Sequence, residues 1–143
     1  MRNTGLVVVV LVVLVLGGFL VFGRSKSNPN TTSTKTAQSN EVDCIKKTNV
    51  QTVTVTYTDN GFTPTAVSLN ACDKLQWINS ASSQVQIGVN PHPVHTGDRS
   101  ITGGEFTLNL DPGQTKSLDI SKKGNFGYHN HLNPLQTGVV AVH

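Results

Sequence analysis

Four of the five histidines in this 143-residue chain fall in two short groups, His92-Pro-Val-His95 and His129-Asn-His131. Residues two apart on a strand project to the same side, so His129 and His131 can grip one ion together. His92 and His95 occupy a stretch punctuated by Pro and Gly that can fold back and bring two more imidazoles to that ion. Imidazole suits Cu(II), Zn and Ni, and the Irving–Williams order favours Cu(II) among them at equal availability. Copper held by His92, His95, His129 and His131 is therefore the first reading, with zinc the other metal this donor set admits. A competing reading needs no metal. Phe126, Tyr128 and Asn130 share the inward parity of the same strand, so a regular strand turns His129 and His131 to solvent. One of them could instead hydrogen-bond loop carbonyls and hold Leu132-Asn133-Pro134 in place. His143, the last residue, reads as a solvated end.

The remaining chemistry-bearing residues are few. Cys44 and Cys72 lie at the start of the folded part and in a turn between two expected strands, and a structural disulfide is the natural expectation for an exported domain. Two thiolates binding copper(I) or zinc is the alternative, weakened because no histidine neighbours either of them. No Ser or Thr has a matched carboxylate–histidine spacing, Gly103-Gly104 is too short to cradle a phosphate, and the acids are dispersed. An enzyme is thus the weakest class, reduced to a small redox enzyme with a copper bound by histidines alone. The formal charge of +3 is modest and the basic residues are scattered without interleaved aromatics, which argues against nucleic acid as a partner.

The elements that must position these histidines read as strands. Val53, Val55 and Tyr57 alternate with Thr52, Thr54 and Thr56, and Val67 and Leu69 follow an Asn60-Gly61 turn. Further alternating runs centre on Leu75 and Trp77, on Val85, Ile87 and Val89, and on Phe106, Leu108 and Leu110. Asp111-Pro-Gly-Gln114 then marks a tight turn before Leu118 and Ile120. Phe126 to His131 and Val139 to Val142 complete the set. Seven or eight short strands, each with one apolar face, imply an all-β fold over residues 50–143, a two-sheet antiparallel Greek-key β-sandwich.

Two segments precede that domain. Leu6 to Phe22 is uncharged and apolar, and as a helix it spans about 26 Å, near the thickness of bilayer hydrocarbon. Residues 1–23 are therefore expected to be a transmembrane helix anchoring the chain to the cell membrane in a single pass, with the domain on the extracytoplasmic side. A cleaved signal, leaving a secreted domain, is the competing reading. Arg24 and Lys26 behind the span pull the other way under the positive-inside rule, whereas the cysteine pair suits an oxidising exterior. Residues 24–49, rich in Ser, Asn, Thr, Lys and Gln, read as a flexible polar linker.

Tyr57-Thr-Asp-Asn-Gly-Phe-Thr-Pro64, Val67-Ser-Leu69 and Leu75-Gln-Trp-Ile-Asn79 resemble the opening strands of cupredoxins, the plastocyanin and azurin relatives. Leu110-Asp-Pro-Gly-Gln114, Gly124-Asn-Phe-Gly-Tyr128 and Gly138-Val-Val-Ala-Val142 resemble the end of the same domain, so the likeness covers roughly residues 50 to 142. It implies a copper protein, but the ligand positions of the blue-copper site are replaced. Aligning Tyr128 and Gly138 with the family pattern puts Asn130 at the Cys, Asn133 at the second His and Gln136 at the Met. Near the first His position stand Gln84-Val85-Gln86. Without a thiolate no blue charge-transfer site of the usual kind can form. The expectation is a membrane-anchored, extracytoplasmic cupredoxin-like domain that binds copper through its histidine cluster, for electron transfer or copper handling with a redox or copper-donor protein. The alternative is a metal-free module of the same fold, its site vestigial, that binds a protein or polymer at the cell surface.

Overall fold

The computed structural model describes residues 40–143. The anchor expected over residues 1–23, and residues 24–39 of the linker, lie outside the described residues. No helix among the described residues is long and apolar enough to cross a membrane.

Among the described residues nine strands follow one another: β1 Thr52–Thr58, β2 Gly61–Thr63, β3 Ala66–Leu69, β4 Asp73–Asn79, β5 Val85–Val89, β6 Thr107–Leu110, β7 Thr115–Ile120, β8 Gly124–Asn130 and β9 Asn133–Val142. They form a four-stranded sheet of order β2-β1-β4-β7 and a five-stranded sheet of order β3-β9-β8-β5-β6. The period-two pattern decides which faces meet. Along β4, Leu75, Trp77 and Asn79 are buried while Lys74, Gln76 and Ile78 are only half-buried. Along β8, Phe126, Tyr128 and Asn130 turn inward. Phe62, Trp77 and Tyr128 meet edge to face at the centre, with Trp77 and Tyr128 centroids 4.9 Å apart. Burial of such rings, with Val55, Leu75, Ile87, Ile120 and Val140 around them, is the main stabilising term of the sandwich.

The two-sheet sandwich agrees with the reading of the sequence, but the sheets are mixed rather than purely antiparallel. β1 pairs with β4, and β3 with β9, in parallel. After the β1–β2 hairpin the chain crosses to the other sheet for β3 and returns for β4. A strand re-entering through such a crossover can lie in the same direction as its neighbour, which a hairpin forbids.

The last part of the segment that composition assigns to the linker is laid against the sandwich. The backbone of Glu41 pairs with that of Lys122 in an isolated antiparallel β-bridge, and Cys44 is disulfide-bonded to Cys72, their Cα atoms 5.3 Å apart. Lys47 Nζ lies 2.5 Å from the Asp73 carboxylate, which also accepts from the backbone N–H groups of Gln51 (2.8 Å) and Asn70 (3.1 Å). The Lys47 ammonium, aided by those N–H groups, holds the buried Asp73 carboxyl below its usual range. The cysteines are thus structural, and the thiolate-ligand alternative fails because both sulfurs are consumed in the bridge.

Candidate metal centre

β5 and β8 are neighbours, with Gly88 opposite His129 between the inward pairs Ile87–Asn130 and Val89–Tyr128. Parity therefore points His129 out of the sandwich, as the sequence indicates. Yet only 1% of it is exposed. The segment 90–106 folds back over the outer face of the sheet and covers it, and two glycines make room. A Cβ on Gly88 would stand 2.3 Å from Cε1 of His95, whose ring occupies that space. A Cβ on Gly127 would stand 2.6 Å from the Asn90 amide nitrogen. The segment is pinned at Ile101, buried in the core, whose carbonyl accepts from the Trp77 indole N–H at 2.9 Å. His131 sits just past the register shift that ends β8, its N–H donating to the Gln86 carbonyl at 2.7 Å.

All four predicted histidines are brought together. His92, His129 and His131 each offer a ring nitrogen, and these three atoms lie within 4.8 Å of one another. Nε2 of His95 lies 3.0 Å from Nε2 of His129 and 3.1 Å from Nδ1 of His131. Nitrogens bonded to one metal at about 2.0 Å and at angles between 90° and tetrahedral stand about 2.8 to 3.3 Å apart, so the two His95 distances are those of adjacent ligands, while the group of His92, His129 and His131 is set more widely. Ring centroids agree. Neighbours around the cluster are 4.8 to 5.2 Å apart, while His92–His95 and His129–His131 are 6.2 and 6.4 Å apart. A flat square with such edges would have diagonals of about 7 Å and a regular tetrahedron about 5 Å, so the figure is a flattened tetrahedron.

Hydrogen bonds behind the rings fix which nitrogens face inward. A carbonyl can only accept, so the 2.9 Å contact of His95 Nδ1 with Phe106 O places the proton on Nδ1 and leaves Nε2 a bare lone pair. His129 Nδ1 donates likewise to Asn90 Oδ1 at 2.8 Å, which bares its Nε2 as well. An Nδ1–H of His131 can satisfy one side of His95, but no proton is left to lie between His95 and His129. Two lone pairs facing at 3.0 Å repel unless a cation accepts both. A ring N–H donated to a carbonyl or amide oxygen is also the usual support of a metal-bound histidine.

Both buried rings are held neutral, the form that ligates. Burial, with the neighbouring His95, His92 and His131 adding to it, pushes His129 down to about 4. Burial also pushes His95 down, against the Phe106 carbonyl, which favours its charged form. In the unfolded chain histidine titrates near 6.5, so between about pH 6.5 and 4 the unfolded state takes up protons that folded His129 refuses. The metal-free chain is therefore expected to have its full stability above about pH 6.5 and to lose up to about 3 kcal/mol as pH falls toward 4. Urea unfolding from pH 7 to 4.5 measures this. A midpoint that does not move would mean that His129 titrates freely in the folded state.

Two of the positions that the resemblance assigns to blue-copper ligands, Asn130 and Gln136, join with Tyr57 in a plug instead. Asn130 Nδ2 donates to Tyr57 Oη at 3.0 Å and to Gln136 Oε1 at 2.9 Å, while the Tyr57 hydroxyl donates to Gln136 Oε1 at 3.0 Å. Asn130 Oδ1 also accepts from the Leu132 N–H at 3.1 Å, so these three side chains and the loop backbone together occupy the inward pocket. Phe106, which alternation assigned to a core strand, precedes β6 and is 46% exposed. Its ring stacks on His95 at 4.3 Å, with the Arg99 guanidinium 5.2 Å from its centroid. Asn90 and Phe106 are the supporting residues that sequence reasoning missed. The signal for them was the pair of strand glycines, Gly88 and Gly127, because a glycine inside a strand often marks a close approach by other backbone or side chain.

No protein-family model matches the chain, and no curated protein matches it. Solved structures do. A purple cupredoxin from Nitrosopumilus maritimus is 14% identical, with a TM-score of 0.52 over 64% of this chain and 99% of its own. A reduced amicyanin variant is 16% identical, with a TM-score of 0.50 over 74% of this chain and 95% of its own. A copper(I) form of another amicyanin variant is 18% identical, with a TM-score of 0.50 over 76% of this chain and 95% of its own.

Proposed function

We propose that this chain, whose described residues have the cupredoxin fold, holds one Cu(II) on the imidazoles of His92, His95, His129 and His131 and serves in electron passage or copper handling outside the cytoplasm. One observation carries the reading: the bare Nε2 atoms of His95 and His129 face each other at 3.0 Å while both Nδ1 protons are committed elsewhere. The donor set is nitrogen only, so the ion would lack the thiolate absorption of a blue-copper centre. Soft metals gain little here, because the two cysteine sulfurs are bridged.

The apolar run from Leu6 to Phe22 supports a membrane anchor, and the Cys44–Cys72 bridge supports an oxidising compartment for the domain. Release of the chain from membranes by alkaline extraction would refute the anchor. A redox protein or a copper donor is the partner this reading requires.

The filled inward pocket of Tyr57, Asn130 and Gln136 favours a second reading, a metal-free module of the same fold that binds a protein or polymer. Titration of the purified full chain with Cu(II), followed by electron paramagnetic resonance, separates the two. One tight equivalent with nitrogen hyperfine coupling is expected. Failure to bind either Cu(II) or Zn(II) stoichiometrically would overturn the metal site and leave the second reading.

A further inference from the structure

The four imidazoles are not equally held. His95 is clamped between Gly88 and the Phe106 ring, and its Nδ1–H is tied to the Phe106 carbonyl. His129 is fixed within β8 and donates to Asn90. His131 is tied through its backbone N–H to the Gln86 carbonyl, while its Nδ1 stands beside Nε2 of His95 as the neighbouring donor atom. His92 is the exposed member of the set, and among the described residues the aromatic rings beside it are those of the other three histidines, with no hydrogen bond behind its own. It stands between Pro91 and Pro93 in a turn closed by the His95 N–H, which donates to the Pro91 carbonyl at 2.8 Å, so the backbone there is held while the His92 side chain carries no hydrogen bond. Releasing His92 from an ion therefore breaks one coordinate bond and no hydrogen bond, whereas freeing His95 or His129 also disrupts the Nδ1–H bond that holds its ring.

Charge points the same way. Four neutral imidazoles leave the two positive charges of the ion uncompensated, and among the described residues no carboxylate joins the cluster. Asp98, the acid nearest in sequence to His95, is engaged by Lys122 and Ser100. An anion that reached the ion would therefore gain charge neutralisation that no protein group provides.

We infer that the metal has one exchangeable coordination position, guarded by His92 on the solvent side, at which a small monoanion binds directly to the ion. The inference rests on the four-imidazole reading above. It makes the centre open to inner-sphere chemistry rather than sealed as an outer-sphere relay, since with His92 displaced three protein ligands and one exchangeable position remain, the ligand count of a catalytic metal. No bond within the anion is broken or formed in this step: the anion donates an electron pair to the ion, and the His92 ring leaves with its own.

Azide is the probe. The Cu(II)-loaded full chain is titrated with azide and followed by its azide-to-copper absorption and by electron paramagnetic resonance, in parallel with His92→Ala and His129→Ala. The native chain is expected to gain a saturable azide band. His92→Ala is expected to keep one copper equivalent and to bind azide at least about tenfold more tightly, because no imidazole has to be displaced. Copper bound by the native chain with no azide response would overturn the exchangeable position while leaving the metal site standing. So would unchanged azide affinity in His92→Ala, or loss of copper from it as complete as from His129→Ala. A native chain that takes up no copper overturns both.

Discussion

Replacing His129 with Ala is expected to lower the affinity of the full chain for Cu(II) by at least about 100-fold, more than the 10- to 100-fold typical of changes one shell further out. His129 is central because its Nε2 lies 3.0 Å from that of His95 and its ring neighbours both His92 and His95. Adding His131→Ala should abolish tight binding, since Nδ1 of His131 is the other nitrogen beside His95. Neither change touches the aromatic centre, because both side chains leave the sheet on its outer face. The buried Trp77 therefore reports independently whether the sandwich is intact. His143→Ala is the control, for that ring bonds to Ser68 Oγ, apart from the cluster. Copper affinity that survives in His129→Ala, with the fold intact, would assign the metal to some other donor set.

The contrast between His143 and the other four histidines shows how far the sequence can be read. Strand alternation gives the inward set Phe126, Tyr128 and Asn130 and the outward set that contains His129, because parity is a local property of one strand. Whether an outward histidine meets water is not local. That depends on which strand lies beside β8 and on what the segment 90–106 does after leaving β5. The register that sets Gly88 opposite His129 joins residues 41 positions apart in the chain. The same limit explains Phe106: alternation with Leu108 and Leu110 extends the pattern of β6 backwards, but the strand begins at Thr107, and the ring belongs to the histidine cluster instead. It also explains the parallel β1–β4 and β3–β9 pairs, since the pattern within a strand carries no information on the direction of its neighbour. That Asn130 stands where the cupredoxin pattern has a Cys was legible only through the resemblance, by aligning Tyr128 and Gly138 with that pattern. That Tyr57 and Gln136 close the vacated pocket was not legible, because their bond joins residues 79 positions apart.

The register also yields a test in which no metal ligand is altered. Gly88→Ala adds a single methyl group at a point 2.3 Å from Cε1, 2.6 Å from Nε2 and 2.9 Å from Nδ1 of His95, closer than real Cβ contacts come. The imidazole cannot swing away in place, because Phe106 stacks on its other side at 4.3 Å and its Nδ1–H is held by the Phe106 carbonyl. His95 also has a backbone φ of 47°, a left-handed conformation that costs a non-glycine residue about 1 kcal/mol or more. That residue already carries strain while β5 and β8 are paired by backbone hydrogen bonds, so His95 and its turn are expected to shift rather than the sheet, with Ile101 still holding the segment. The expected result is a fall in copper affinity of about 10- to 100-fold, comparable with loss of a supporting contact around a ligand. An overpacking cost of about 1 to 3 kcal/mol in the metal-free chain should accompany it. Electron paramagnetic resonance should then show fewer coupled nitrogens at saturating copper, with the sandwich still folded. If Gly88→Ala instead folds with native affinity and a native spectrum, His95 is not a ligand, and the ion is held by His92, His129 and His131 alone.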